Sequence, residues 1–192
     1  MQAMTNEKIR DQIANYHPFN EQEEHDQQEL LWQIDHVQDL LTRNNRNAHF
    51  TASAWIVSPD RQKVLMAYHN IYQSFAWLGG HVDGDPDFKH VISKEITEES
   101  GLEDFKFVSD DIFSLEILTV DGHIKRGEYV SSHLHLNVTY LIEADPALPI
   151  RIKPDENSAI AWIDLKDLPN KINEPWFYKW IYQKLIQKAA EF

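Results

Sequence analysis

The segment over residues 79–102 constrains the fold more than any other part of the sequence. It begins with a glycine pair, continues as GGHVDGDPDF and then reads KHVISKEITEESGL. Asp85 followed by Pro86 has the form of a helix N-cap with proline in the first helical position, and Gly101 fits a left-handed C-cap. The sequence therefore predicts a glycine-rich loop that leads directly into a helix over about residues 86–100.

The acidic residues of this predicted helix lie on its apolar side. At ~100° per residue, Glu95, Glu98 and Glu99 fall in the same arc of roughly 160° as the apolar residues. The apolar residues of that arc are Phe88, Val91, Ile92 and Ile96, and the opposite side carries Lys89, His90, Ser93, Lys94, Thr97 and Ser100. A run of charges is usually a solvated helix face, and the arrangement argues against that interpretation here.

Three carboxylates spaced in this way indicate a cation site. Like charges at i,i+4, such as Glu95 and Glu99, cost ~0.2–0.5 kcal/mol even when exposed, and partial burial increases the cost. Hard oxygen ligands suit Mg²⁺ or Mn²⁺, which also bind substrate phosphates and activate water. An EF-hand beginning at Asp83 is excluded, because its sixth and twelfth positions would be Phe88 and Lys94 rather than Gly and Glu.

The charge and composition of the chain exclude several classes of protein. The net charge of −13 argues against binding a nucleic-acid polymer, and the absence of cysteine excludes disulfides, thiolate zinc sites and a cysteine nucleophile. No signal peptide or membrane-spanning run is evident, so a cytoplasmic location is expected. Residues 79–103 carry seven acidic residues against two lysines, a net of −5, and residues 1–47 also carry −5. The N-terminal acids are interpreted as the solvated face of helices.

The order of the expected elements favours an α+β fold. Helices are predicted over 6–16, about 21–43 and 175–190, where apolar residues recur at helical spacing. Strands are predicted where β-branched and apolar residues cluster. The predicted strands cover 50–58, 63–69, 114–120, 133–143 and 158–163. Strands and helices are mixed without a regular βαβ alternation, which is typical of an α+β protein or a helix–sheet sandwich.

The segment from Gly80 to Leu102 resembles the Nudix box. The match runs through KEITEESGL with the expected total length, while Pro86 and Lys94 stand where the family has Glu and Arg. Asp85 or Asp87 could replace that acid with Lys94 as its partner. The resemblance implies a Nudix-like α/β/α sandwich with a mixed sheet over residues 48–192, preceded by an N-terminal helical extension over residues 1–47.

The resemblance also implies an activity and a set of site residues. In the family's pattern, the Gly80 carbonyl and the carboxylates of Glu95, Glu98 and Glu99 bind Mg²⁺ or Mn²⁺, and these glutamates serve catalysis. The implied reaction is metal-dependent hydrolysis of a diphosphate linkage in a small nucleoside-diphosphate-type or other organic diphosphate. The general base is left open between a box glutamate and Glu156.

Further residues are candidates for contact with the substrate. His81 directly follows Gly80 and could bind phosphate or metal, and His133 and His135 share one face of a strand. With Glu156, these histidines form the predicted substrate-binding set. The aromatic residues Tyr72, Phe75 and Trp77 are interpreted as core or rim residues.

Other functions remain as alternatives. The chain could be a non-catalytic Nudix-fold sensor that binds a ligand without hydrolysis, or an interaction protein with an acidic helix. An isopentenyl-diphosphate isomerase, which has a similar fold, relies on a cysteine that this chain lacks. The expected partner is a small-molecule diphosphate, with no nucleic-acid polymer and no membrane. The N-terminal helices could cover the substrate cleft or build a homodimer.

Overall fold

The computed structural model describes residues 2–71, 73–125 and 127–192, with side chains described from residue 7 onward. The helices are α1 (Gln2–Ala14), α2 (Glu21–His36), α3 (Phe88–Ser100), α4 (Pro175–Phe177) and α5 (Gln183–Ala189). The strands are β1 (Ala48–Val57), β2 (Lys63–His69), β3 (Ser74–Ala76), β4 (Leu78–His81), β5 (Lys106–Phe107), β6 (Ser114–Val120), β7 (His123–Lys125), β8 (Glu128–Val130), β9 (His133–Glu143) and β10 (Asn157–Asp164). A 3₁₀ turn covers Leu168–Asn170, and a π-helical turn covers Tyr178–Tyr182 between α4 and α5.

The described chain divides into two compact units, and β1, β4, β9 and α3 each contribute residues to both. The first unit contains residues 1–52, 80–91 and 111–139. The second contains residues 53–79, 92–110 and 140–192.

In the first unit, β6 pairs antiparallel with β9 from Ser114↔Thr139 to Val120↔His133, and β7 pairs with β8 as a separate hairpin. Helix α2 lies against β6. The side-chain amide of Gln22 donates to the Leu115 carbonyl at 3.1 Å, and the Asp26 carboxylate accepts from the Ile117 N–H at 2.9 Å. The buried apolar side chains of this unit include Ile13, Leu30, Phe50, Phe88, Leu115, Leu136 and Val138.

A buried polar network joins α2 to β6 and β9 in the same unit. Glu23 is fully buried, and its carboxylate accepts from the Tyr16 hydroxyl at 2.5 Å and the Phe19 N–H at 2.8 Å. Ser114 Oγ lies 2.7 Å from Glu23 Oε1 and 2.5 Å from Glu116 Oε1. The interpretation of the N-terminal acids as a solvated face is therefore wrong for Glu23, because hydrogen-bond donors replace the water that it loses.

The second unit is built around the strand order β10-β2-β1-β9-β5, with β3 paired to β2. Strand β10 runs antiparallel to β2 from Asn157↔His69 to Asp164↔Lys63. The C-terminal helical residues pack on this sheet through Tyr182, whose ring lies 5.5 Å from that of Trp55. The largest buried side chains here include Trp55, Leu65, Met66, Leu78, Ile92, Tyr140 and Tyr182.

Several predicted elements have different limits in the structure. Helix α2 ends at His36 rather than near residue 43, since Val37 is extended (φ −115°, ψ 137°) and Asp39 has φ +59°. Helix α3 begins at Phe88 rather than at Pro86. The Asp87 carboxylate accepts from the N–H groups of residues 89 and 90, each at 3.1 Å, so Asp87 has the capping role predicted for Asp85.

Gly101 ends α3 with φ +69°, which confirms the predicted left-handed cap. The aromatic Trp77 packs on Phe177 and Tyr182 as a half-buried residue, while Tyr72 lies outside the described residues. In the described part of the chain, none of the helices combines the length and the apolar character required to cross a membrane. The division into residues 1–47 and 48–192 stays a prediction.

Candidate functional site

The three glutamates of α3 differ in their exposure to solvent. Glu99 is buried, with 9% of its surface exposed, Glu95 is half-buried, and the side chain of Glu98 is 42% exposed. The prediction that the acids share the apolar, buried side is therefore confirmed for Glu99 and in part for Glu95, and it is wrong for Glu98, which lies at the exposed edge. Ser100, which the helical wheel places on the opposite side, is also fully buried. Its hydroxyl donates to the Ile96 carbonyl at 2.6 Å, which satisfies the hydroxyl without water.

Burial and neighbouring negative charge oppose ionisation of Glu99. Burial, together with the charges of Glu95 and Glu156, raises the pKa of Glu99 to about 8. Burial likewise raises the pKa of Glu95 above its ordinary value. Among the described residues, one direct contact favours the charged form of Glu99. It is a long hydrogen bond from the Gly79 N–H, whose nitrogen lies 3.3 Å from Glu99 Oε2.

Glu156 lies close to the box glutamates. Lys153 Nζ is 3.1 Å from Glu156 Oε1 and 3.5 Å from Glu98 Oε2. The structure therefore brings Glu95, Glu98, Glu99 and Glu156 into one cluster, with a lysine among them. Lys153 has no motif that would identify it in the sequence.

The turn before β10 is held to the end of α3 by direct hydrogen bonds. Asn157 Nδ2 donates to the backbone carbonyl of Glu99 at 3.2 Å, and the N–H of Arg151 donates to that of Ser100 at 2.7 Å. These bonds bring residues 151–157 to the glutamates, although more than 50 positions of sequence separate them.

The donor set of this cluster fits a divalent cation. Carboxylate oxygens are the ligands that Mg²⁺ and Mn²⁺ prefer, and a cation at the cluster offsets both the burial and the charge repulsion that raise the pKa of Glu99. Gly80, whose carbonyl is the fourth predicted ligand, is half-buried in β4. Its metal role stays a prediction, as does ligation by the glutamates.

Lys94, which stands where the family has Arg, and the acids on either side of Pro86 each have a contact close by in the sequence. Lys94 Nζ lies 3.7 Å from Glu98 Oε1, one turn further along α3. Asp85 Oδ2 lies 2.6 Å from His90 Nδ1, and Asp87 caps α3. The loop that precedes α3 is also held by Arg43, whose guanidinium binds both oxygens of Asp83 at 2.8 Å.

The predicted histidines meet in the first unit. The ring of His135 lies 5.0 Å from that of His81 and 5.1 Å from that of His133, and His49 joins them at 4.9–5.2 Å from all three. Sequence reasoning missed His49. His49 lies at the start of β1, and the pairing of β1 with β4 and β9 brings it close to the other histidines.

Burial keeps three of these imidazoles, those of His49, His81 and His135, neutral. It lowers the pKa of His81 to about 3 and that of His135 to about 2, with the neighbouring histidines adding to the effect. Burial also lowers the pKa of His49. Each of these rings therefore carries a free lone pair on one nitrogen at neutral pH.

No family model and no curated protein sequence matches the chain. Solved structures do match it. An Ap4A hydrolase from C. elegans aligns with a TM-score of 0.53 and 16% identity over 74% of this chain and 96% of its own. RenU, a Nudix hydrolase from M. smegmatis, aligns with a TM-score of 0.55 and 15% identity over 75% of this chain and 87% of its own.

The chain has the Nudix fold. The Nudix domain of Shewanella oneidensis NrtR, solved with ADP-ribose, gives a further match with a TM-score of 0.50 and 16% identity, covering 74% of this chain and 86% of that one. These likenesses confirm the predicted α+β Nudix-like class. At such identities they establish the fold, so the chemistry rests on the residues of the site.

Proposed function

We propose that this Nudix-fold protein is a metal-dependent pyrophosphohydrolase. Its substrate would be a small nucleoside-diphosphate-type or other organic diphosphate. The observation that carries the proposal is the carboxylate cluster on α3, in which burial and like charge raise the pKa of Glu99 to about 8. A cluster that resists ionisation on its own becomes a favourable site when a divalent cation is present.

Glu95, Glu98 and Glu99 would hold Mg²⁺ or Mn²⁺, together with the Gly80 carbonyl. The bound cation would neutralise charge on the diphosphate and lower the pKa of a water molecule. The half-exposed Glu98 marks the side of the cluster that substrate can reach, while Glu99 is held from within by the Gly79 N–H.

Glu156 is the loop residue best placed to accept a proton. Its charge contributes to the raised pKa values of Glu95 and Glu99, which places it near both carboxylates. Lys153 keeps its carboxylate oriented at 3.1 Å. A box glutamate is the other candidate for this role.

The test is a panel of diphosphate compounds assayed with Mn²⁺ and with Mg²⁺. We expect wild-type protein to release a phosphate-containing product and Glu98→Gln and Glu99→Gln to lose most of that activity. The matched control is Glu103→Gln, since Glu103 is an exposed acid just beyond the end of α3. Equal turnover by the wild type and the two glutamine variants would refute the proposal.

The structural match to an ADP-ribose complex keeps ligand binding without hydrolysis as a second candidate. Calorimetry with ADP-ribose and related diphosphates, run beside the turnover assay, separates the two functions. Tight binding with no product in either metal favours the non-catalytic sensor.

A further inference from the structure

The histidine cluster of the first unit has the geometry of a metal site. One ligand nitrogen from each of His49, His81 and His135 lies within 4.8 Å of the corresponding atom of the other two. The three residues come from β1, β4 and β9, so the cluster is fixed by paired strands rather than by a mobile loop. Sites on such elements hold their ligands more precisely than sites on loops.

His49 supplies an independent sign that a ligand belongs here. Its Nδ1 lies 3.0 Å from the backbone carbonyl of Asn45, so Nδ1 carries the hydrogen and Nε2 carries the lone pair. Nε2 is buried, and nothing in the described part of the chain donates a hydrogen bond to it. A histidine that donates one ring nitrogen to a backbone carbonyl and presents the other is the usual arrangement of a metal ligand.

His133 also contacts this group of histidines. His133 Nδ1 lies 2.8 Å from the Ser131 carbonyl, which leaves the lone pair on its Nε2. That Nε2 is 3.2 Å from Nε2 of His135. This contact places His133 beside His135, at the border of the cluster.

Packing alone explains this arrangement poorly. Neutral imidazoles that merely fill a core still need a donor for each buried lone pair, because an unsatisfied buried polar atom destabilises the fold. His49 has no such donor among the described residues.

We propose that His49, His81 and His135 bind a divalent transition metal, with Zn²⁺ the best match to the donor set, and that His133 borders the site. Imidazole nitrogen suits zinc and its neighbours in the series, whereas Mg²⁺ prefers oxygen. Three protein ligands leave a further position open, as in zinc sites that also hold water or a substrate group. This site differs in ligand chemistry from the carboxylate cluster of α3, and zinc binding at the histidines does not require hydrolysis of a diphosphate.

The first experiment titrates Zn²⁺ into chelator-treated, full-length protein in the presence of excess Mg²⁺, which saturates the carboxylate site. We expect a single tight equivalent of Zn²⁺ in the wild type and in Glu98→Gln. Variants His49→Asn and His135→Asn should bind it more than about a hundredfold more weakly, beyond the 10–100-fold that loss of an outer partner causes. The control His25→Asn removes an exposed histidine of the same unit and should leave binding unchanged.

The second experiment uses Co²⁺ as a spectroscopic probe of the wild-type protein, so that it does not depend on how the variants fold. Nitrogen ligation in a tetrahedral site gives intense visible absorption, and oxygen ligation in an octahedral site gives weak absorption. Intense bands that excess Zn²⁺ removes support the proposal. Weak bands, or tight Zn²⁺ binding that Glu98→Gln abolishes and the histidine variants retain, would overturn it.

Discussion

Glu99→Gln should make the metal-free protein more stable at alkaline pH. Glu99 is 9% exposed, and burial with the charges of Glu95 and Glu156 raises its pKa to about 8. Glutamine has nearly the same shape and keeps an acceptor for the Gly79 N–H, but it never ionises. The substitution therefore removes the cost of a buried charge while it preserves the local hydrogen bond.

The sign and size of the effect follow from proton linkage. Between pH 4.5, the ordinary value, and about pH 8, the unfolded chain has lost the proton of Glu99 and the folded chain has kept it. The unfolded state then binds fewer protons, so the free energy of unfolding of the wild type falls by about 1.4 kcal/mol per pH unit. Over this window the loss is on the order of 5 kcal/mol, and above pH 8 it levels off.

The assay is urea unfolding of the wild type and Glu99→Gln with EDTA at pH 6, 7, 8 and 9. The stability gained by the variant should grow with pH up to about 8 and then stay constant. Glu103→Gln, the exposed control, reports the effect of removing one surface charge. A difference between Glu99→Gln and the wild type that does not change with pH would refute the reasoning.

Addition of Mg²⁺ should narrow the difference in stability between the wild type and Glu99→Gln. A cation that binds only the folded state stabilises it in proportion to the logarithm of its concentration over the dissociation constant. Wild-type protein should therefore gain stability with Mg²⁺ at pH 8, while Glu99→Gln, which has lost a proposed ligand, should gain much less. Urea unfolding of both proteins at pH 8, with Mg²⁺ in place of EDTA, checks this.

Substitutions of Glu156, Gly101 and Glu23, two of them with a comparison variant, test other parts of the structure. If Glu156 is the general base, Glu156→Gln should lower kcat about 10²–10⁴-fold and leave Mg²⁺ binding nearly intact. An unchanged kcat in steady-state assays would assign the role of general base to a box glutamate instead. Gly101→Ala should cost more than the ~1–2 kcal/mol of a left-handed residue, because the new Cβ lies 2.6 Å from Arg151 Cγ. Gly127→Ala, at φ +85° with open space around it, should cost only the conformational part in the same urea titration. Glu23→Ala should destabilise the fold by about 3 kcal/mol or more, since it deprives three donors of an acceptor, and Glu23→Gln should cost less in thermal melts.

The sequence predicted regular strands well because their own side chains determine them. The predicted limits of β2, β6 and β9 agree with the structure, and β-branched and apolar residues fill all three. The sequence did not predict the short strands. Strand β3 has three residues and depends on pairing with β2, and β5 has two residues and depends on pairing with β9. Such elements are defined by their neighbours rather than by a local pattern.

The residues of the candidate site also differ in whether the sequence alone could identify them. The box glutamates were found because helical periodicity places them on one arc, which is a local property of α3. His49 and Lys153 could not be found, because one reaches its partners by strand pairing and the other by the turn before β10. Long-range register determines these positions, and a single sequence carries no local signal of it.

Comparison of two buried acids indicates why one is interpreted as structural and the other as functional. The carboxylate of Glu23 accepts from the Tyr16 hydroxyl and the Phe19 N–H, and Ser114 Oγ lies at 2.7 Å. Glu99 accepts one long bond from Gly79 among the described residues and faces further carboxylates. Burial is therefore compensated within the fold at Glu23 and left uncompensated at Glu99. A cation contributes most at an acid whose surroundings oppose its charge, so the metal site is expected at α3 and not at the more deeply buried acid of α2.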